Sequence, residues 1–412
     1  MSEDRIVVVG GGLAAARVVR GYRSAGGDRP LTIVSDDDVP PYNRPPLSKG
    51  FLRGELEEEK VFAEPAPFYD ENGVELVLGR SARGVDTTER TVELDDGTRL
   101  DYASLVLATG SRPRPLGVPG ENLEGVYTYR TLADAKAVRE AAASASRALV
   151  IGGGFIGMET TASLRRLGLE VTQLDVADRL YASFQAPEVS DSLERLYREH
   201  GVEVLLVDRV EEFRGAGGKL TGAKTASGRE IEAELAIVGV GVSVSTEFLA
   251  GSGVALDDRG AVVVDERFSS SVPDVYGVGD VARFHDPIFG HSRLIQHWTN
   301  ANHQGEQVGR ILAGEDAPYD LVAYFFSEVF GTKLGLIGDL DGGHDELVVR
   351  GSLEEGALLG FYLRAGRLVA ALLCGQDAET QESLTTLLRG QAEVKSRGAL
   401  TDAAAAPADA FA

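Results

Sequence analysis

The sequence predicts an α/β fold with two dinucleotide-binding domains of the Rossmann type and a C-terminal α+β domain, and three observations carry that expectation. Two glycine-rich turns, Gly10-Gly11-Gly12-Leu13-Ala14-Ala15 and Gly152-Gly153-Gly154-Phe155-Ile156-Gly157, lie 142 positions apart. Each directly follows an apolar run, Ile6-Val7-Val8-Val9 or Ala148-Leu149-Val150-Ile151, and each opens a segment with helical patterning. From about residue 318 the texture changes to short alternating runs separated by glycine turns, as in a small sheet domain.

A strand, a tight glycine turn and a helix make up the context that a dinucleotide needs. The first glycine permits the turn, the second lets the backbone approach a pyrophosphate, and the third position, Ala15 and then Gly157, allows the helix to pack on the strand. The helix amino terminus supplies the anion site. Downstream, Leu31-Thr32-Ile33-Val34 leads into Ser35-Asp36-Asp37, and Val171-Thr172-Gln173-Leu174 ends in Asp175. Both halves therefore offer a carboxylate to ribose hydroxyls. With 50 glycines in 412 residues, the flanking strands and acids discriminate more than the glycines do.

Composition excludes several function classes. The formal net charge of −23 disfavours nucleic acid and anionic membrane surfaces, which need clustered Lys and Arg. No run approaches the roughly 20 apolar residues that span a bilayer. Met1-Ser2-Glu3-Asp4-Arg5 leads straight into the first strand without signal-peptide patterning, so a cytoplasmic location is expected. Cys374 is the only cysteine, which rules out intrachain disulfides and a Cys-x-x-Cys relay. Its apolar surroundings read as those of a buried small hydrophobe. Six histidines without a cysteine or carboxylate cluster predict no metal site.

Along the chain, residues 1–111 and 246–317 read as one discontinuous dinucleotide-binding domain, residues 112–245 as the second, and residues 318–400 as the C-terminal domain. Strand ends recur at Ala108-Thr109-Gly110, Gly239-Val240-Gly241 and Gly277-Val278-Gly279-Asp280. Helices are expected over Asn300 to Leu312 and near Thr380 to Leu388. The Ala-rich stretch 401–412 reads as a disordered tail.

Over about residues 5 to 395 the chain resembles the flavin-dependent ferredoxin reductases that serve oxygenases, within the glutathione-reductase-like flavoproteins. The most specific element is Pro41-Tyr42-Asn43-Arg44-Pro45-Pro46-Leu47-Ser48-Lys49, followed by Ala108-Thr109-Gly110, the second glycine turn with Glu159, and Gly277-Val278-Gly279-Asp280. The resemblance implies dinucleotide domains of the three-layer ββα type, FAD at the first turn and NADH at the second. Gly10, Gly12, Ala15, Asp36, Lys49, Ala82, Arg130, Asp280 and Trp298 would line the FAD, and Gly152, Gly154, Gly157 and Asp175 the nicotinamide dinucleotide. Lys49 would sit near the reactive flavin nitrogen, paired with Glu159, and Phe155 would shield the flavin until nicotinamide arrives. Asp175 favours NADH, because a carboxylate that holds the 2′-hydroxyl repels a 2′-phosphate. The implied partner is a 2Fe-2S ferredoxin that feeds a cytochrome P450 or a ring-hydroxylating dioxygenase.

One segment departs from the family pattern. Where these reductases carry a Phe-Trp-Ser-Asp-Gln-like stretch, this chain has Tyr324-Phe325-Phe326-Ser327-Glu328-Val329-Phe330. Residues 321–412 also hold 7 Lys plus Arg against 13 Asp plus Glu, whereas an acidic ferredoxin needs local cations. Lys333, Arg293 and Arg310 are the candidates for a basic patch. Two alternatives stay open: an NADH-dependent flavin oxidoreductase with oxygen, a quinone or a small organic acceptor, and a redox-sensing flavoprotein resembling apoptosis-inducing factor.

Overall fold

The computed structural model describes residues 4–412. The chain forms two compact units, one built from the segment ending at Asn43 with Glu58–Arg112 and Ser243–Ala323, the other from Arg44–Glu57, Pro113–Val242 and Tyr324–Ala412.

The first unit is organised by a five-stranded parallel sheet in the order Val275–Gly277, Ser104–Leu107, Ile6–Val9, Leu31–Val34, Val74–Val77. Its three central strands are buried at every position, which is why they read as uninterrupted apolar runs and not as alternating ones. The helices Leu13–Ser24 and Trp298–Leu312 lie so close that a Cβ at Gly305 would collide with Ala14 O and one at Gly309 with Val18 O. Glycine is required there for backbone approach. A three-stranded antiparallel sheet, Ala82–Asp86, Thr91–Leu94 and Arg99–Asp101, completes the dinucleotide-binding framework.

The second unit repeats the plan. Its parallel sheet runs Val202–Leu205, Glu170–Leu174, Arg147–Ile151, Leu235–Val238, Val126–Thr128, with an antiparallel sheet of Val210–Ala216, Lys219–Thr225 and Glu230–Glu232. The two parallel sheets differ in how their edge is filled. Val126–Thr128 precedes its glycine turn in the chain, whereas the corresponding edge strand of the first unit, Val275–Gly277, arrives long after. That late return brings Ser243–Ala323 back to the first unit.

The segment beginning at Tyr324 adds a five-stranded antiparallel sheet in the order Tyr324–Val329, Thr332–Gly338, Arg367–Cys374, Ala357–Arg364, Glu346–Ser352. The helix Ala378–Arg389 follows, capped by the Asp377 carboxylate, which accepts the Thr380 N–H. This domain and the one expected over 112–245 share one core, in which Met158, Tyr181, Phe184 and Leu193 pack with Val329, Leu334, Tyr362 and Leu372. Texture along the chain separates them, and packing joins them.

The expected disordered tail is corrected by the structure. Short helices Arg397–Thr401 and Pro407–Ala410 form there, Phe411 is buried with its ring 5.7 Å from Phe361, and the Lys395 N–H donates to Ala410 O at 2.8 Å. The buried Phe411 ring and the backbone bonds of Glu393, Lys395 and Ser396 with Ala410 and Ala412 anchor the end of the Ala-rich stretch.

Cys374 ends a fully packed strand and is buried, which pushes its thiol pKa up. The native protein should therefore resist a thiol-alkylating reagent until it unfolds, and rapid native-state alkylation would contradict this placement. Among the described residues, no helix is long and apolar enough to cross a membrane.

Candidate dinucleotide sites

The two glycine turns are near copies. Gly10 has φ +122° and Gly152 has φ +110°, and a Cβ at either would collide with the carbonyl of the neighbouring strand end, Ala108 O or Gly239 O. The runs Ala108-Thr109-Gly110 and Gly239-Val240-Gly241 thus do the same work, closing over each turn from the adjacent strand. The helices Leu13–Ser24 and Phe155–Arg166 begin at Gly12 (φ −88°, ψ −176°) and Gly154 (φ −89°, ψ −174°), with no side-chain cap and no acid in the first turn. Their first N–H groups and the positive end of the helix dipole are left for an anion. At the third position the copies diverge. Ala15 carries a buried Cβ, whereas a Cβ at Gly157 would overlap Gly152 O.

The carboxylates after the second strands are not equivalent, which corrects their symmetric reading. Gly153 faces Asp175, and Asp175 accepts the Gly153 N–H at Oδ2 and the Ala177 N–H at Oδ1. In the first unit the residue facing Gly11 is Ser35, whose Oγ accepts the Asp37 N–H at 3.1 Å. Asp36 stands one position further on, exposed, and Asp37 accepts the Tyr42 hydroxyl at 2.8 Å.

Elsewhere in the first unit, the Ser111 hydroxyl donates to the Asp280 carboxylate at 2.7 Å. Trp298 opens its helix, and its indole N–H donates to Asn43 Oδ1 at 2.9 Å, tying the helix to the end of the Pro41-Tyr42-Asn43 stretch. Ala82 begins the antiparallel sheet beside a register shift. Gln304 is fully buried; its Oε1 accepts the Gly279 N–H at 2.8 Å, while its Nε2 has no partner. An open buried donor beside the Gly279–Asp280 turn, with the uncapped helix start, fits a group rich in acceptors such as a dinucleotide.

Lys49 and Arg130 belong to the second unit. The backbone N–H of Arg130 donates to the Asp134 carboxylate just before the helix Leu132–Ala142. Lys49 sits inside a five-residue helical turn, Leu47–Phe51, yet has non-helical φ −120° and ψ −112°. Its ammonium lies 2.6 Å from Glu159 Oε2 and donates to Pro45 O at 2.9 Å. Glu159 is 4% exposed. Its Oε2 also accepts the Ser48 hydroxyl at 2.5 Å, and its Oε1 accepts the Ser327 hydroxyl at 2.9 Å. Tyr181 Oη is 2.9 Å from Ser327 Oγ, and burial drives the Tyr181 phenol pKa up, with the Glu159 charge adding to the effect. One cation and two hydroxyls thus face this buried carboxylate and offset the cost of its desolvation. Phe155, the first residue of its helix, is half-buried, edge-on to Tyr181 at 5.5 Å and to Phe184 at 5.8 Å.

Lys49 and Glu159 stand out in the sequence, whereas Ser48, Tyr181 and Ser327 do not. Ser48 only adjoins the lysine, and Ser327 only lies in the departing segment. No local pattern marks Tyr181. The suggested basic patch is also corrected. Arg293 is 2% exposed and pairs at 2.8 Å with the fully buried Asp286, and Arg310 pairs with Glu315 at 2.6 Å, which leaves Lys333 as the only exposed member not tied to a carboxylate. Among the described residues no cluster of His, Cys, Asp and Glu could hold a metal ion.

Two uncapped glycine turns in one chain, with a buried lysine–glutamate pair, define a protein of the class that holds two dinucleotides for redox chemistry. The chain belongs to the pyridine nucleotide-disulphide oxidoreductase family, whose model matches residues 4–305, with a Reductase C-terminal domain matched over residues 324–406. It is 36% identical over 366 residues to rhodocoxin reductase of Rhodococcus erythropolis, covering 88% of this chain and 84% of that protein. It is 32% identical over 370 residues to the ferredoxin–NAD(+) reductase subunit of the benzene 1,2-dioxygenase system of Pseudomonas putida, covering 90% and 88%. The crystal structure of the covalent putidaredoxin reductase–putidaredoxin complex is similar with a TM-score of 0.93 and 32% identity, covering 98% of this chain and 97% of that one.

Proposed function

We propose that this protein is an NADH-dependent FAD reductase that passes electrons singly to a 2Fe-2S ferredoxin serving a cytochrome P450 or a ring-hydroxylating dioxygenase in the cytoplasm. The observation that carries the reading is the paired glycine turns, each with an uncapped helix start, in a chain similar along nearly its whole length to reductases of this kind. Gly10, Gly12, Ala15, Asp36, Ala82, Asp280 and Trp298 of the first unit are assigned to FAD, and Lys49 and Arg130 keep the flavin role that the resemblance implies. Gly152, Gly154, Gly157 and Asp175 are assigned to NADH. When bound, the flavin supplies the conversion of a two-electron hydride donor into a one-electron source.

The residues of the chain bind and orient. The helix starts at Gly12 and Gly154 hold pyrophosphates, Asp175 accepts from a ribose, and Phe155 covers the position that nicotinamide takes. Lys49 contributes a positive charge where reduction adds a negative one, and Glu159 limits the cost of burying that charge. Hydride transfer itself requires no acid–base group.

Asp175→Ala should raise the KM for NADH roughly ten- to hundredfold, as expected for loss of a hydrogen bond to a charged group, and should change that for NADPH much less. Asp175→Asn keeps an acceptor for the Gly153 N–H and separates loop support from ribose binding. Unchanged KM values in the alanine variant would remove Asp175 from the site.

The function is tested by supplying NADH and a panel of two-iron ferredoxins and comparing ferredoxin reduction with oxygen consumption. Ferredoxin reduction that outpaces oxygen consumption supports the proposal. NADH oxidation that proceeds at the same rate with or without every ferredoxin would favour the second reading, a flavin oxidoreductase with oxygen, a quinone or a small organic acceptor. The burial of Arg293 and the pairing of Arg310, which deplete the expected cationic patch, favour that reading.

A further inference from the structure

We propose that Tyr181 and Ser327 are positioning residues that hold the Glu159 carboxylate in place against Lys49. This rests on the reading that the Lys49–Glu159 pair serves flavin reduction.

Proton counting fixes the direction of these hydrogen bonds. Ser327 Oγ lies 2.9 Å from Glu159 Oε1 and 2.9 Å from Tyr181 Oη. A carboxylate only accepts, so the single Ser327 proton goes to Glu159, and the Ser327 oxygen then accepts the proton of Tyr181. The chain therefore has one direction, from Tyr181 through Ser327 to Glu159. On the other oxygen, Ser48 and Lys49 donate. Each oxygen of the carboxylate is thus held, and its rotation about the terminal bond is blocked from both sides.

The placement of Tyr181 points the same way. It is fully buried and left-handed, with φ +49° and ψ +41°, a conformation that a non-glycine residue holds only where its surroundings over-determine it. Here its ring stacks on Phe184 at 4.8 Å with an interplanar angle of 4° and meets Phe155 edge-on. One side chain thereby touches the proposed nicotinamide cover through its ring and steers Glu159 through its hydroxyl. Ser327 comes from the first strand of the C-terminal sheet, Tyr324–Val329, so that sheet contributes directly to the Glu159 environment.

The titratable groups that bear on Glu159 are Lys49 from the Leu47–Phe51 turn and the phenols of Tyr129, Tyr181 and Tyr197. Burial pushes all three phenols up, leaving them neutral. Removal of Ser327 leaves Glu159 Oε1 without its donor. The carboxylate is then free to turn about its terminal bond, and its alignment with Lys49 is lost.

The test is the limiting rate of NADH-driven flavin reduction, with the Kd for NADH read in parallel, in the FAD-loaded full chain, measured anaerobically for Ser327→Ala, Ser327→Thr, Tyr181→Phe and Glu159→Gln. The limiting rate should fall about tenfold in Ser327→Ala and in the same direction in Tyr181→Phe, with the Kd for NADH unchanged, and should return in Ser327→Thr, which restores the hydroxyl. Tyr181→Phe keeps the ring and Ser327→Thr the donor, so at least these two report on folded protein. Limiting rates of Ser327→Ala and Tyr181→Phe equal to that of the unmodified protein, while Glu159→Gln slows reduction, would overturn the positioning role alone. If Glu159→Gln also leaves the rate unchanged, the role of Glu159 falls, and the proposal with it.

Discussion

Lys49→Met is expected to destabilise the second unit by an amount toward the lower end of the roughly 3–5 kcal/mol that follows removal of one partner from a buried ion pair, and to slow NADH-driven flavin reduction. Glu159 is 4% exposed and Lys49 about one-fifth exposed, so the substitution leaves a desolvated carboxylate without its cation. Ser48 and Ser327 still donate to it, which is why the loss sits at the lower end. Lys49→Met combined with Glu159→Gln should recover most of the stability, because the orphaned charge is then gone, without recovering the rate, because the cation is still missing. Denaturant unfolding of the FAD-loaded variants reads the first effect and anaerobic flavin reduction the second. A single variant as stable and as fast as the unmodified protein would show that the pair neither suffers from burial nor acts in the reaction.

Gly157→Ala is expected to abolish tight NADH binding while FAD stays bound. The added Cβ would overlap the Gly152 carbonyl oxygen; the oxygen is backbone and the Cβ position is set by the helix backbone, so neither can turn away. The helix Phe155–Arg166 must then tilt from the strand Arg147–Ile151, at a cost of about 1–3 kcal/mol or more for an overpacked site. Its first-turn N–H groups lose their aim. At the matching position of the first turn, Ala15 already carries a buried Cβ, so Ala15→Gly should be mild. Binding of NADH followed by equilibrium titration, with flavin content measured in parallel, separates the two turns. Normal NADH affinity in Gly157→Ala would refute the close-packing role of that glycine.

The parts of the fold that local sequence determines were the readable ones. Buried parallel strands announce themselves as apolar runs, and a turn that requires φ above +100° announces itself as glycine, at Gly10 and Gly152. What depends on register or on distant contacts was not readable. Asp36 and Asp175 look alike along the chain, yet the residues that face Gly11 and Gly153 are Ser35 and Asp175, because equivalence is set by position beneath the turn and not by residue type. Arg293 reads as a surface cation until the antiparallel pairing of Ala282–Asp286 with His291–Leu294 brings Asp286 to it. The tail is held by Phe411 packing on Phe361, a contact that composition hides. Of the Glu159 cluster, only Lys49 and Glu159 were legible, through resemblance. Ser327 is 168 positions away from Glu159, and nothing local signals the meeting.

The central claim is that one chain holds a flavin and NADH and converts hydride into single electrons for a ferredoxin. Anaerobic stopped-flow mixing of the oxidised FAD-loaded protein with NADH, followed by a second mix with two-iron ferredoxins, tests it most directly. The expected result is rapid bleaching of the flavin followed by rapid reduction of at least one ferredoxin. Bleaching that reverses only when oxygen or a small acceptor is added, with every ferredoxin left oxidised, would contradict it.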